Sequence, residues 1–241
     1  KYIQAVLSDD EYEEFRKMAE SLGLKVKEAA KEAVMAWVQQ RGKIFIRGVG
    51  EKIFAHPAFE EWHTFFISEY RPPKRDVLLF HNCTWGKPYH ESWIFREMRR
   101  TVAEVLDEDR VHFVVVSSSG VVPREYWDYW PFTSYDSDPW KFTPQDREAF
   151  VRINSQRVAN YLEKHSSAYK AIVAYFPVGD TARESVEKGI SLSRCKLPCH
   201  FATEIYPDEE RRDEDYYACL TYAESLRQLK STFRRIFRKT G

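Results

Sequence analysis

The chain has 241 residues with 37 Lys+Arg against 37 Asp+Glu, so its formal net charge is zero, and 43% of its residues are hydrophobic. A chain of this length buries roughly 70 to 75% of the surface it exposes when unfolded, so its 4 Cys are not needed as a disulfide framework. No run of 18 apolar residues and no signal-peptide pattern occurs, which predicts a soluble, cytoplasmic protein with no membrane partner, and charge neutrality excludes general attraction to phosphate.

Residues 1–41 read as a small unit. Ile3, Ala5 and Leu7 alternate with Tyr2, Gln4 and Val6 as in a half-buried strand. Ser8 stands at an N-cap position before Asp9, Asp10 and Glu11, where carboxylates suit the helix dipole. Phe15, Met18, Ala19 and Leu22 form an apolar stripe that ends at Gly23, and Val26, Ala29, Ala30, Ala33, Val34, Trp37 and Val38 form a second. Strand, helix, turn and helix in this order resemble the ribbon-helix-helix family, which implies a homodimer. The outward strand residues Tyr2, Gln4 and Val6 carry no Arg or Lys, which makes DNA a weaker expectation than dimerisation.

Residues 42–70 read as a linker and a helix. Gly42, Gly48 and Gly50 punctuate the linker, His56-Pro57 opens the helix, and Phe59, Trp62, Phe65 and Phe66 recur at helical spacing before Arg71-Pro72-Pro73. From 71 to 241 the pattern alternates. Strands are expected at 76–81, 111–117, 171–176 and 199–205, and helices at 92–106, 145–164 and 181–189. Strands that are apolar on both faces predict an α/β domain with a three-layer parallel sheet, whose chemistry lies in loops beyond the carboxyl ends of the strands.

Two such loops carry reactive groups. The first, His81 to Ser92, offers Cys83 as a nucleophile, Lys87 as an amine, Tyr89 as a proton donor and Ser92 as a helix cap; packed structure in a capped turn accounts for the same residues. The second, Ser117 to Glu125, offers hydroxyls, amides and Gly120 for close backbone approach to a ligand, or an ordinary turn with an Arg124–Glu125 pair. The aromatic run from Tyr126 to Phe132 suits either base stacking or a core. Cys195-x3-Cys199-His200 lacks zinc-hairpin spacing and a second ligand pair, and Cys219 stands alone, so no metal and no cofactor are predicted. The acidic stretch 208–215 and the basic segment with Arg227, Lys230, Arg234, Arg235, Arg238 and Lys239 read as solvated helix faces or as a phosphate contact.

Several motifs occur together in order: Tyr70-Arg71-Pro72-Pro73, then Asp76 to Phe80, then Cys83 with Lys87-Pro88-Tyr89 and Ser92, then Ser117, Gly120 to Glu125, and Tyr135-Asp136. On these, residues from about 54 to 190 resemble a domain of the archaeosine synthase family, archaeal tRNA-modification enzymes related to tRNA-guanine transglycosylases. The resemblance implies a uracil-DNA-glycosylase-like fold and addition of an amine, lysine, to the nitrile of 7-cyano-7-deazaguanine in tRNA. It implies catalytic roles for Cys83, Lys87 and Tyr89, and substrate contacts from Ser92, Ser117, Gly120, Arg124, Glu125 and Asp136, with a partner enzyme of the same pathway. The sequence departs from the family at Asn82, where the family has Pro, at Phe95, where its loop ends in His, and at Ser118-Ser119, where it has Pro-Leu. A non-catalytic nucleic-acid-binding or assembly protein is the alternative expectation.

Overall fold

The computed structural model describes residues 8–21, 23–33, 45–83, 86–207 and 217–238. The expected strand at 1–7, the end of the second helical stripe, the acidic stretch 208–215 and Lys239 lie outside the described residues. The chain divides into two compact units, 1–45 and 46–241.

In the first unit, α1 (Asp9–Ser21) begins with a reciprocal cap. The Ser8 backbone N–H donates to Glu11 Oε2 at 2.8 Å, and the Glu11 N–H donates to Ser8 Oγ at 3.3 Å. Its end is closed by the Leu24 N–H donating to the Ala19 carbonyl. Of the apolar stripe, Ala19 is buried but Met18 is exposed. A second helix, α2 (26–33), buries Ala29.

The second unit contains β1 (Ile46–Arg47), α3 (Glu51–Phe54), α4 (Pro57–Ser68), β2 (Val77–Asn82), α5 (Trp93–Ala103), β3 (Val111–Ser117) and β4 (Gly120–Pro123). It continues with β5 (Tyr135–Asp136), α6 (Pro144–His165), β6 (Ala171–Tyr175), α7 (Thr181–Leu192), β7 (Cys199–Phe201) and α8 (Ala223–Arg238). Residues 46–70, read from sequence as linker and helix, fold into this unit, and Phe54, Phe59 and Phe66 are buried in its core. The central sheet has the order β4-β3-β2-β6-β7. All its pairings are parallel except β3–β4, where Ser117 pairs with Gly120 and Val114 with Pro123. The sheet is therefore mixed rather than wholly parallel. A short hairpin through Ser118-Ser119 turns the chain back along the edge, where the sequence reading had a loop.

Strands β2, β3 and β6 are buried at every residue, as double-sided helical cover requires. Helix α5 packs with α8, and α6 packs closely with α7. The second contact depends on Gly189, where a Cβ would come within 2.6 Å of Val158 Cβ. Helix α6 starts with a Thr143–Asp146 capping box and Pro144 at its first turn. No helix among the described residues is long and apolar enough to cross a membrane.

Candidate active site at the carboxyl edge of the sheet

From β2 the chain crosses to β3 on one side, and later elements place β6 on the other side of β2. The order reverses between β2 and β6, so their carboxyl ends flank the crevice in which α/β sheets hold ligands. Cys83 follows directly on β2 there. A small cleft of about 40 Å³ is lined by Cys83, Lys87, Asp136, Asp138, Trp140 and Tyr217, among others. It is large enough for a small functional group or a water, with the rest of any larger ligand outside.

Four hydroxyls close a ring beside it. Ser117 Oγ lies 2.9 Å from the Tyr135 hydroxyl, which lies 2.8 Å from that of Tyr89; Tyr89 is 3.1 Å from Ser119 Oγ, which returns to Ser117 Oγ at 2.8 Å. All four side chains are buried. Burial holds both phenols above their ordinary pKa, so they remain protonated donors. Lys87 Nζ sits 4.2 Å from the centre of the Tyr135 ring, a cation–π contact. Burial pushes the Cys83 thiol up, and the Lys87 ammonium and the Tyr135 and Ser117 hydroxyls pull against it.

Behind the cleft lies Asp180, which the sequence reading passed over although Gly179-Asp180-Thr181 is a helix-start signal. Its Oδ1 accepts from the Ala182 and Arg183 N–H groups at the start of α7 and from Asn82 Nδ2 at 3.2 Å, while Tyr217 donates to Oδ2 at 3.3 Å. Burial raises its carboxyl pKa. Asn82 thus ties β2 to α7, and its Oδ1 has no hydrogen-bond partner among the described residues.

The structure brings Cys83, Lys87 and Asp136 to the cleft and Tyr89 and Ser117 to the hydroxyl ring beside it. Ser92 is buried at the start of α5, but its side chain makes no capping hydrogen bond. Gly120 has φ +98° and faces the core: a Cβ there would meet Arg157 Nη1 at 3.0 Å, so the group that approaches its backbone is this buried guanidinium. Arg124 and Glu125 are elsewhere. The β3–β4 hairpin carries them to the amino end of β3, where they line an open cleft of about 550 Å³ with His112 and Asp128. They do not pair with each other. Arg124 pairs with Glu108, and Glu125 accepts from Tyr70 at 3.0 Å and meets His112 Nε2 at 3.1 Å. Phe95 is core, with its ring 4.9 Å from that of Trp127 and 5.5 Å from that of His81. Tyr126 and Phe132 pack on Trp62, so this part of the aromatic run is largely packing, while Tyr129 and Trp130 are exposed. Cys195 and Cys199 are half-buried and Cys219 buried, and among the described residues no group of three or more His, Cys, Asp or Glu converges.

Residues 59–204 match a family described as a domain of unknown function (DUF5591). The chain belongs to that family. The matched span of this DUF5591 protein contains Cys83, Lys87, the hydroxyl ring and Asp180; Tyr217 and α8 lie beyond it. A solved structure, that of AF0587, a protein of unknown function, is similar at 22% identity with a TM-score of 0.45 over 71% of this chain. The chain spans about half, 49%, of the length of that protein. No curated protein matches.

Proposed function

We propose that the chain is an archaeosine-synthase-like tRNA-modification protein that adds an amine, lysine, to the nitrile of 7-cyano-7-deazaguanine in tRNA. The observation that carries this reading is the meeting of Cys83 and Lys87 in one cleft at the carboxyl edge of the sheet. The cleft suits a nitrile better than a whole base. In the reaction, the Cys83 sulfur bonds to the nitrile carbon and the thiol proton goes to the nitrile nitrogen, giving a thioimidate. The amine then adds to the same carbon, the carbon–sulfur bond breaks, and an amine proton returns to sulfur, leaving an amidine. Lys87 supplies positive charge beside the nitrogen as it gains electron density, and Tyr89 and Tyr135 remain phenols throughout. The uracil-DNA-glycosylase-like fold and the ribbon-helix-helix dimer belong to the same proposal. Incubation of the chain with lysine and tRNA bearing the nitrile base, followed by mass spectrometry of the nucleosides, tests it: an added lysine supports the reading, and none, with a partner enzyme supplied, refutes it.

One observation favours the non-catalytic alternative. Phe95 presents no proton-transfer group, and neighbouring His81 cannot stand in: burial lowers its pKa to about 3, and Phe95, Phe113 and Trp127 surround it. Binding of tRNA and duplex DNA across a salt series, with no turnover, identifies that case.

A further inference from the structure

The hydroxyl ring has a proton count that matters for the sulfur beside it. Four hydroxyls carry four protons, and in a closed cycle each donates once and accepts once. While Cys83 is a thiol, its S–H can donate into the ring at the Tyr135 oxygen, which keeps a free lone pair; Ser117 Oγ already accepts from the Ser119 N–H at 3.2 Å. When the sulfur becomes an anion, one hydroxyl can rotate to donate to it; the cycle opens into a chain of three bonds between hydroxyls and a fourth that ends on sulfur. No proton enters or leaves the four hydroxyls in this exchange. A neutral bond is replaced by a charge-assisted one, which is about twice as strong. Tyr135 is the member placed for this role: its ring carries the Lys87 ammonium, its hydroxyl lies 2.9 Å from Ser117 Oγ, and the parallel β2–β3 register, with Asn82 opposite Val116, sets Cys83 level with Ser117.

We propose that Tyr135 is a positioning residue for Cys83, the ring hydroxyl that turns from Tyr89 or Ser117 to the sulfur as the thiolate forms, and that Ser117 is its second. This rests on the reading of Cys83 as the nucleophile. Of the other groups that act on the thiol, Lys87 favours the anion, Asp180 opposes it, and a Cys83 anion and a Tyr89 anion disfavour each other. Asp136, Asp138 and Tyr217 line the cleft, with Asp138 paired to Lys141. The ring therefore provides a donor without adding a second buried charge.

The test reads the thiolate without tRNA. Iodoacetamide alkylates Cys83 by forming a carbon–sulfur bond as iodide leaves and the thiol proton passes to buffer; peptide mass spectrometry follows Cys83 and Cys195 separately across pH. Tyr135→Phe keeps the aromatic ring under Lys87 and removes the hydroxyl. It is expected to slow Cys83 alkylation at neutral pH about tenfold or more and to move its pH midpoint upward, with Cys195 unchanged. Ser117→Ala shifts the profile the same way, Ser117→Thr restores it, and Ser119→Ala, one bond removed from the sulfur, shifts it less. Unchanged Cys83 profiles in Tyr135→Phe and Ser117→Ala overturn the inference, as do equal shifts at Cys195. A shifted profile without nitrile addition retires the tRNA reading alone, and nitrile addition with an unshifted profile retires this inference alone.

Discussion

At the carboxyl edge of the sheet Ser117, Tyr135, Tyr89 and Ser119 bond to one another as neutral hydroxyls beside Cys83, whereas the amino edge is held by ion pairs to Asp76 and by the Glu125 carboxylate. There Asp76 receives Arg110 at 2.5 Å and Lys170 at 2.6 Å, and His112 lies between Glu125 at 3.1 Å and the Tyr169 hydroxyl at 2.6 Å. The contrast follows from what each edge must do. Ion pairs spend the charge of both partners on each other and fix the chain, as the neighbouring strand starts at Val77, Val111 and Ala171 require. A hydroxyl ring satisfies its members without charge while leaving its phenol oxygens able to accept again, which is what a reacting group needs nearby.

Breaking the carboxyl edge carries the largest expected effect. Cys83→Ala lowers nitrile addition by more than about a thousandfold, and Lys87→Ala by about 10² to 10⁴, each measured by nucleoside mass spectrometry. Neither changes the thermal midpoint by more than a few degrees, since both side chains lie only half-buried at a cleft. Next in size is the packing that both edges share. Trp127 is fully buried against Phe95, His81 and Tyr89 and donates its indole N–H to the Val122 carbonyl at 3.1 Å. Trp127→Ala costs about 3 to 5 kcal/mol in denaturant unfolding.

The two edges also differ in their response to acid. Burial opposes the charge on Glu125, but His112, and after it the residue's own backbone N–H and Tyr70, hold its pKa down to about 2. A depressed carboxyl contributes stability above its unfolded value of 4.5 and loses it as pH falls toward 2, so Glu125→Gln flattens the stability curve in that window. Asp180 has the opposite sign: its raised pKa means that burial of the charge costs stability at neutral pH, and acid relieves the cost. His81, pushed down to about 3, is buried neutral, and between pH 6.5 and 3 the unfolded chain alone takes up its proton. Stability therefore falls by up to about 1.4 kcal/mol per pH unit over that range, and His81→Phe removes the fall. The smallest effect belongs to the exposed Lys230–Glu104 pair, where Glu104→Gln leaves the unfolding midpoint in place.

These differences were unevenly legible in the sequence. Strands β2, β3 and β6 are continuous apolar runs of strand length, and their ends fall within a residue of the expected positions. Strand β4 was not legible, because four residues after a serine turn carry too short a pattern, and missing it placed Arg124 and Glu125 at the wrong end of the sheet. Cys83 and Lys87 could be paired because one loop holds both. The hydroxyl ring could not, because Tyr135 is 18 residues from Ser117 and 46 from Tyr89 and arrives through the two-residue β1–β5 pairing. Tyr217 was missed for the same reason, since it lies 37 residues from Asp180 and meets it only in three dimensions, whereas Asp180 carried a local helix-start signal that does not by itself mark a site.

The most direct test sets the two edges against each other in one reaction. Wild-type chain, Cys83→Ala and Glu125→Gln are each given lysine and tRNA carrying 7-cyano-7-deazaguanine, and the released nucleosides are weighed. One added lysine with the wild type and with Glu125→Gln, and none with Cys83→Ala, is the predicted result; undiminished product from Cys83→Ala, or its loss in a folded Glu125→Gln alone, contradicts it.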